Sequence, residues 1–186
     1  MMTKDAYHLS DKLNINEWKF TKLKRVTSLL YGESLSSEQR VEEGNVDVFG
    51  SNGIVGKHSA AITKSPCIII GRKGSFGKIN YSETPCYPID TTYYIDETAT
   101  SNDLRYIFYL LQSLGLDQQS RDSAVPGLNR EEAYQKECFI PTTISEQKKI
   151  ANYLDCKTAQ IDSIVKQKEL FLKSCKPNGR QLLMKQ

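Results

Sequence analysis

Between Pro141 and Pro177 the chain contains no glycine and no proline, and this unbroken stretch limits the possible folds more than any other feature. Ile150, Leu154, Ile161, Ile164, Val165, Phe171, Leu172 and Cys175 recur along it at helical spacing, which predicts one long amphipathic helix. Thr143-Ile144-Ser145-Glu146 fits a capping box at its start, the Thr oxygen taking one orphan N–H and the Glu carboxylate another. About 32 helical residues span roughly 48 Å. A compact domain built from the rest of the chain is not much longer, so part of the apolar stripe projects past it and needs a partner helix; the alternative is that the helix folds back over its own domain. Lys157 and Lys168 interrupt the stripe at seam-like positions, where such residues set register in a coiled coil or lay their stems along the rim.

Upstream the character is different. Cys67 to Ile70, Lys78 to Tyr81 and Thr91 to Ile95 are β-branched and aromatic runs punctuated by glycine and proline, and they predict strands. VDVFGSNGIVGKHSAAI predicts short strands broken by Ser51-Asn52-Gly53 and by Gly56. Residues 102 to 114 carry Leu104, Ile107, Phe108, Leu110, Leu111 and Leu114 three and four apart, a helix capped by Ser101 or Asn102 and stopped by Gly115. Residues 17 to 32 have mixed spacing whose later part fits a short helix or turn ended by Gly32; residues 33 to 44 are polar and predict a surface loop. A further loop runs through Pro126-Gly127 to a short strand ending at Pro141. The expected class is α+β: a β-rich domain with packed helices over residues 1–143, a long coiled-coil-type helix over 144–176, and a tail, 177–186.

Charge and cysteine content narrow the function. The net charge of +3 is uneven: residues 144 to 186 hold nine Lys/Arg against four Asp/Glu, whereas residues 1 to 143 hold sixteen against eighteen. Any nucleic-acid surface in the first part must therefore concentrate its cations locally. Five cysteines, at 67, 86, 138, 156 and 175, form no CxxC pair and lie far in sequence from His8 and His58, which argues against zinc and for reduced, mostly buried thiols in the cytoplasm. No apolar run reaches the roughly 18 residues of a membrane span, and the first residues lack the apolar core of an export signal.

The glycine-rich loop IIIGRKGSFGKINY, residues 68 to 81, raises the question of phosphate binding. It is not a Walker A loop: five residues separate Gly71 from Gly77, and Lys78 precedes Ile79 where the motif needs Ser or Thr. It is not a dinucleotide fingerprint, because a strand follows where a helix should. Kinase signatures, a nuclease's gathered acids and lysine, and the DPPY or NPPY of an amino-methylase are all missing from the sequence. What remains is a hairpin that offers Arg72, Lys73, Ser75 and Lys78 beside backbone N–H groups freed by Gly74 and Gly77, able to approach a DNA backbone or a guanine edge, or simply a solvated turn. Ser51, Asn52, Lys57 and His58 form a second candidate DNA-binding loop, and Asn129 with Arg130 a third; the latter two can instead organise the approach to the last strand. Tyr93 and Tyr94 alternate faces and predict core and rim of a strand rather than stacking platforms.

Three separated pieces together resemble the specificity subunit of type I restriction-modification systems. The apolar strand and G-x-x-G-x-x-G turn at 68 to 81 come first; Gly127 to Arg130, Ile140-Pro141, Glu146-Gln147, Ile150-Ala151 and Leu154-Asp155 then reproduce the family's closing GLNR, IP and EQ-x-x-IA-x-x-LD pattern. The opening EWKFTKLKRVTSLLYGES is similar too, with Trp18 and Gly32 in place. The resemblance covers roughly residues 16 to 175, but family members carry two recognition domains and two conserved helices where this chain holds one of each. It implies a non-catalytic half-subunit that reads a half-site in double-stranded DNA. The helix, through Ile150, Leu154, Ile161, Ile164, Val165, Phe171 and Leu172, would pair with a second copy or another half-subunit and dock the methyltransferase subunit. It also implies that S-adenosylmethionine, ATP and magnesium bind the modification and restriction subunits and not this chain. The other class left open is an interaction module, degenerate or anti-restriction, that binds the methyltransferase without reading DNA; the −2 of residues 1 to 143 favours it.

Overall fold

A computed structural model describes residues 17–41, 43–118 and 127–174. The strands, in chain order, are β1 (Trp18–Lys22), β2 (Leu30–Tyr31), β3 (Val46–Gly50), β4 (Gly53–His58), β5 (Cys67–Gly71), β6 (Ile79–Ser82), β7 (Tyr87–Pro88), β8 (Thr92–Ile95) and β9 (Glu137–Pro141). The helices are α1 (Leu104–Ser113), α2 (Arg130–Gln135) and α3 (Ile144–Ser174), with 3-10 turns at Leu23–Arg25 and Ser37–Gln39. The β-rich, α+β class and the long final helix are as expected.

β5 is the centre. All five of its residues are buried, because it is covered on both faces. Alternation of side chains along a strand splits them: Ile68 and Ile70 join Ile107, Leu110 and Leu111 of α1 in the main core, whereas Cys67 and Ile69 face Phe49 and Cys86 on the other side. Burying each such isoleucine contributes about 1.5–3 kcal/mol. Around β5 the order β2-β8-β5-β6 is antiparallel throughout; a second sheet, β4-β3-β7, includes one parallel pair, β3 with β7. Tyr93 is 2% exposed and Tyr94 half-buried, which makes them core and rim of β8. Cys67, Cys86 and Cys138 are free buried thiols, and Cys156 is exposed.

One local expectation is corrected and two elements are added. The mixed-spacing segment 17–32 opens with β1, which pairs with β9 in register from Trp18↔Pro141 to Lys22↔Glu137, and its later part holds the short 3-10 helix Leu23–Arg25, in line with the helix or turn expected there. A partner so distant in sequence leaves no local periodicity to read. The cap of α1 is Asp103, whose carboxylate accepts from Tyr106 N, since Asn102 is drawn away to donate to Val26 O. Gly115, at φ +60°, ends that helix region as expected. The helix α2, too short to show a period, was not anticipated.

α3 divides into two parts. Gln147 and Ala151 are buried against the domain, and Ile150 packs on the main core. From Thr158 to Ser174 every residue is exposed, about 25 Å of helix. The alternative in which the whole helix folds back over its domain is thus excluded, and so is Ile150 as part of a free partner-facing stripe. Leu154 is half-buried at the boundary. Lys157 lies over the Tyr153 ring at 5.5 Å, while Lys168 is exposed. Thr143 Oγ1 accepts from Glu146 N at 3.3 Å, one half of the expected box; the Glu146 carboxylate instead accepts from the Trp18 indole at 3.4 Å. Among the described residues no helix is long and apolar enough to cross a membrane.

Candidate nucleic-acid interface

The loop between β5 and β6 is a tight backbone knot. Gly71 N donates to Lys78 O and Gly77 N to Gly71 O, both at 2.8 Å. Gly77, at φ +74°, lies so close to the Asp117 backbone that a Cβ has no room, whereas Gly74, at φ +69°, faces open space. One glycine therefore closes the loop onto its own chain, and the other leaves the tip clear for something to approach.

The loop is held on both sides. Arg72 N and Lys73 N donate to Thr91 O, the oxygen that also accepts from Ser51 Oγ at 2.6 Å. Leu128 N donates to Arg72 O at 2.8 Å, and Tyr93 OH donates to Leu128 O at 3.2 Å. Residues 127–130, 51–52 and 71–78 are far apart in sequence but belong to one surface. The first and third candidate loops meet there together with Ser51 and Asn52 of the second.

Lys57 and His58 do not meet them. They sit at the far end of β4, about 17 Å of strand from Gly53. Lys57 pairs with Asp47 at 2.5 Å, and the His58 ring stands edge-on to Tyr87 at 5.2 Å. Within the surface the remaining side chains have distinct tasks. Lys78 Nζ donates to Asn52 O and Asn52 Oδ1, each at 2.8 Å, locking two loops together. Asn129 caps α2, its Oδ1 accepting from Glu131 N and Glu132 N. Ser51 is buried, and Lys73 and Ser75 are exposed at the tip.

Tyr31 is the residue that sequence reasoning missed. Arg72 lies over its ring at 5.2 Å and Arg130 at 4.9 Å, while Tyr93 meets it edge-on at 5.0 Å. Tyr31 belongs to a two-residue strand with no motif around it, and only the pairing Tyr31↔Tyr93 brings it to the loop. Burial, and then the hydrogen bond with Tyr31, push the Tyr93 phenol up to about 12, so that phenol stays neutral at physiological pH. Stacked guanidiniums gain roughly 0.5–2 kcal/mol each from the ring quadrupole and are held flat. Among the described residues, the one carboxylate within ion-pair range of either arginine is exposed Glu131, 3.7 Å from Arg130. Cations are concentrated here although residues 1–143 as a whole carry no excess of them.

Residues 15–172 match the model of the type I restriction modification DNA specificity domain. The chain belongs to that family. The fold of this specificity domain recurs in the S subunit of a type I restriction-modification system from M. genitalium, 22% identical with a TM-score of 0.70, over 92% of this chain and 48% of that one. A chain from a type I R-M system, solved in a study of its complex assembly and conformational transition, is 17% identical (TM-score 0.67; 85% of this chain, 43% of that one). The HsdS subunit from Thermoanaerobacter tengcongensis is 19% identical (TM-score 0.58; 79% and 39%). No curated protein matches the sequence significantly. The specificity domain described here thus spans half or less of the length of these solved subunits.

Within the specificity domain the EQ-x-x-IA-x-x-LD element proves to be a joint. Gln147 Nε2 donates to Asn102 Oδ1 at 2.8 Å and to Pro141 O at 3.0 Å, and its Oε1 accepts from Asp103 N at 2.9 Å. Asp155 Oδ1 accepts from Arg105 Nε at 2.8 Å, from Arg105 Nη2 at 2.6 Å and from Tyr109 OH at 2.6 Å. Arg105 first, and Tyr109 after it, hold this carboxyl below its ordinary range against the opposing effect of burial. The motif welds α3 to α1 and touches nothing at the DNA-facing candidate surface.

Proposed function

We propose that the chain is the DNA-reading half of a type I specificity subunit: residues 1–143 read a half-site in double-stranded DNA, and the helix 144–176 joins that half to the rest of the complex. The observation that carries this is the convergence of Arg72 and Arg130 on Tyr31, beside exposed Lys73 and a glycine tip with open space above it. Stacked arginines with free ends suit a base edge, and Lys73 suits a phosphate. Ile161, Ile164, Val165, Phe171 and Leu172 are each 48–68% exposed on the distal part of α3. They support pairing with a second copy or another half-subunit, and docking of the methyltransferase, with the restriction subunit beyond it. In this reading the chain works in the cytoplasm and is not itself catalytic; methylation and cleavage, with their S-adenosylmethionine, ATP and magnesium, belong to its partners.

The test is the salt dependence of duplex affinity for the full chain assembled with the methyltransferase of its own host. Each phosphate neutralised contributes about −0.9 to the slope of log K against log salt. A slope of several units that weakens when Arg72, Lys73 and Arg130 are replaced by glutamine supports DNA reading. A complex that assembles but shows no such slope in the chain's contribution identifies the interaction module instead, the reading that the net −2 of residues 1 to 143 favours.

A further inference from the structure

The two asparagines of the candidate loops hold their amide oxygens against their own chain. Adenine is read by an amide that accepts from N6 and donates to N7 at once, so an Asn whose oxygen already has both lone pairs engaged by its own chain cannot make that pair. Asn52 Oδ1 is held by Lys78 Nζ at 2.8 Å. Asn129 Oδ1 is held by two backbone N–H groups, of Glu131 at 2.8 Å and of Glu132 at 3.4 Å. Asn129 is left with N–H groups alone to offer outward, while Asn52 keeps one lone pair beside its N–H groups.

The arginines point the same way. The Nε atoms of Arg72 and Arg130 are buried and make no hydrogen bond to a described residue, which leaves the terminal nitrogens of each guanidinium as the working end. Two parallel N–H groups on a flat, stacked guanidinium match the O6 and N7 acceptors of guanine. With their carbons 5.2 and 4.9 Å from one ring centroid, the two guanidiniums lie no more than about 10 Å apart, the length of about three base-pair steps at 3.4 Å each.

The geometry points to a guanine-reading head: it recognises guanine, through Arg72 and Arg130 and within about three base-pair steps, and it does not recognise adenine through Asn129. Tyr31 is the positioning residue that makes the two arginines one unit. The inference rests on the DNA-reading role proposed above and adds the base that is read.

The experiment is selection from a fully randomised duplex library by the full chain, assembled with the methyltransferase of its host. The selected sites are expected to share one or two guanines within that span. Replacing such a guanine by 7-deazaguanine, which lacks the N7 acceptor, is expected to weaken binding about tenfold. Arg72→Lys with Arg130→Lys keeps the charge but not the fork, and should erase the guanine preference by about tenfold to a hundredfold per position while the salt slope stays. Tyr31→Leu should blur the same positions, and Tyr31→Phe, which keeps the ring, should restore them. Selected sites without guanine, or a guanine preference that survives the double lysine variant, would overturn the assignment. Failure to select any sequence, with no salt-dependent affinity, would sink the DNA-reading role itself and the assignment with it.

Discussion

The two parts of α3 carry the same apolar periodicity and meet opposite fates. Over Ile144 to Lys157 the helix is fixed by side chains that reach out of it: Glu146 to Trp18, Gln147 to Asn102, Asp103 and Pro141, and Asp155 to Arg105 and Tyr109. Thr158 still reaches Tyr109 of α1, but beyond it the side-chain hydrogen bonds among described residues stay within the helix, as in Gln160 to Cys156 and Ser174 to Phe171. Apolar spacing alone made a helix in both parts. Directional polar contacts decided which part belongs to the domain and which stands exposed.

That contrast is broken most severely in the distal part. Ile161→Asp with Phe171→Asp removes two side chains that are 59% and 68% exposed in the single chain. If a partner helix covers them, their loss costs about 3–6 kcal/mol of association per helix, while the urea midpoint of the domain moves by less than about 0.5 kcal/mol. Sizing with light scattering should show the assembly falling apart without unfolding; an unchanged mass would remove the distal stripe as the pairing surface. The proximal part should respond in the reverse sense. Gln147→Ala leaves Asp103 N–H, Pro141 O and Asn102 Oδ1 without this partner in a place only 1% exposed, at a cost of about 3 kcal/mol. A urea midpoint that hardly shifts would show that the joint does not depend on Gln147.

How much of this was legible depends on the range of the interaction. The long helix was readable because its period is local and its stop signals are absent, and β5, α1 and Gly115 for similar reasons. β1 was not legible because its partner is β9, more than a hundred residues on, and a single edge strand of the form WKFTK has no alternation strong enough to declare itself. The closing motif was the most recognisable string and identified the family, yet its residues turned out to hold a joint. Arg72 and Arg130 could be nominated from loop chemistry, but Tyr31 could not, because its role exists only once β2 pairs with β8. Lys57, nominated on the same grounds, is spent on Asp47, a cross-strand neighbour in register that the turn-centred view of that segment ignored.

A smaller effect separates the parts by pH. The folded Asp155 carboxyl titrates below its unfolded value, so its contribution is complete at neutral pH and fades as the pH falls from about 5 through the folded value. With the Asp155 side chain 36% exposed and that of Arg105 32%, solvent screening limits the contribution to about 1 kcal/mol. Asp155→Asn should lose that much at pH 7, and the gap to the wild type should narrow progressively as the pH falls below about 5, measured by urea unfolding over that range. A gap that does not narrow as the pH falls would mean the substitution acts through packing and not through the charge.

The smallest expected change in stability lies at the candidate surface around Tyr31, and its smallness is the point. Arg72→Gln with Arg130→Gln removes two cations whose terminal nitrogens make no hydrogen bond to a described residue and which share one ring with little opposing charge nearby. The stacking lost, roughly 0.5–1 kcal/mol at each partly exposed site, is offset by relief of repulsion between two like charges about 10 Å apart or less, so the urea midpoint should stay within about 0.5 kcal/mol of wild type. In the joint, every polar group is answered by another in the same chain, and removing one is felt as lost stability. On the surface around Tyr31 the Nε atoms of Arg72 and Arg130 have no hydrogen-bond partner among the described residues, so removing these side chains leaves little unpaired behind. A double variant destabilised by more than about 2 kcal/mol would show that the two arginines hold the fold of the loop, and would move them from the candidate surface to the scaffold.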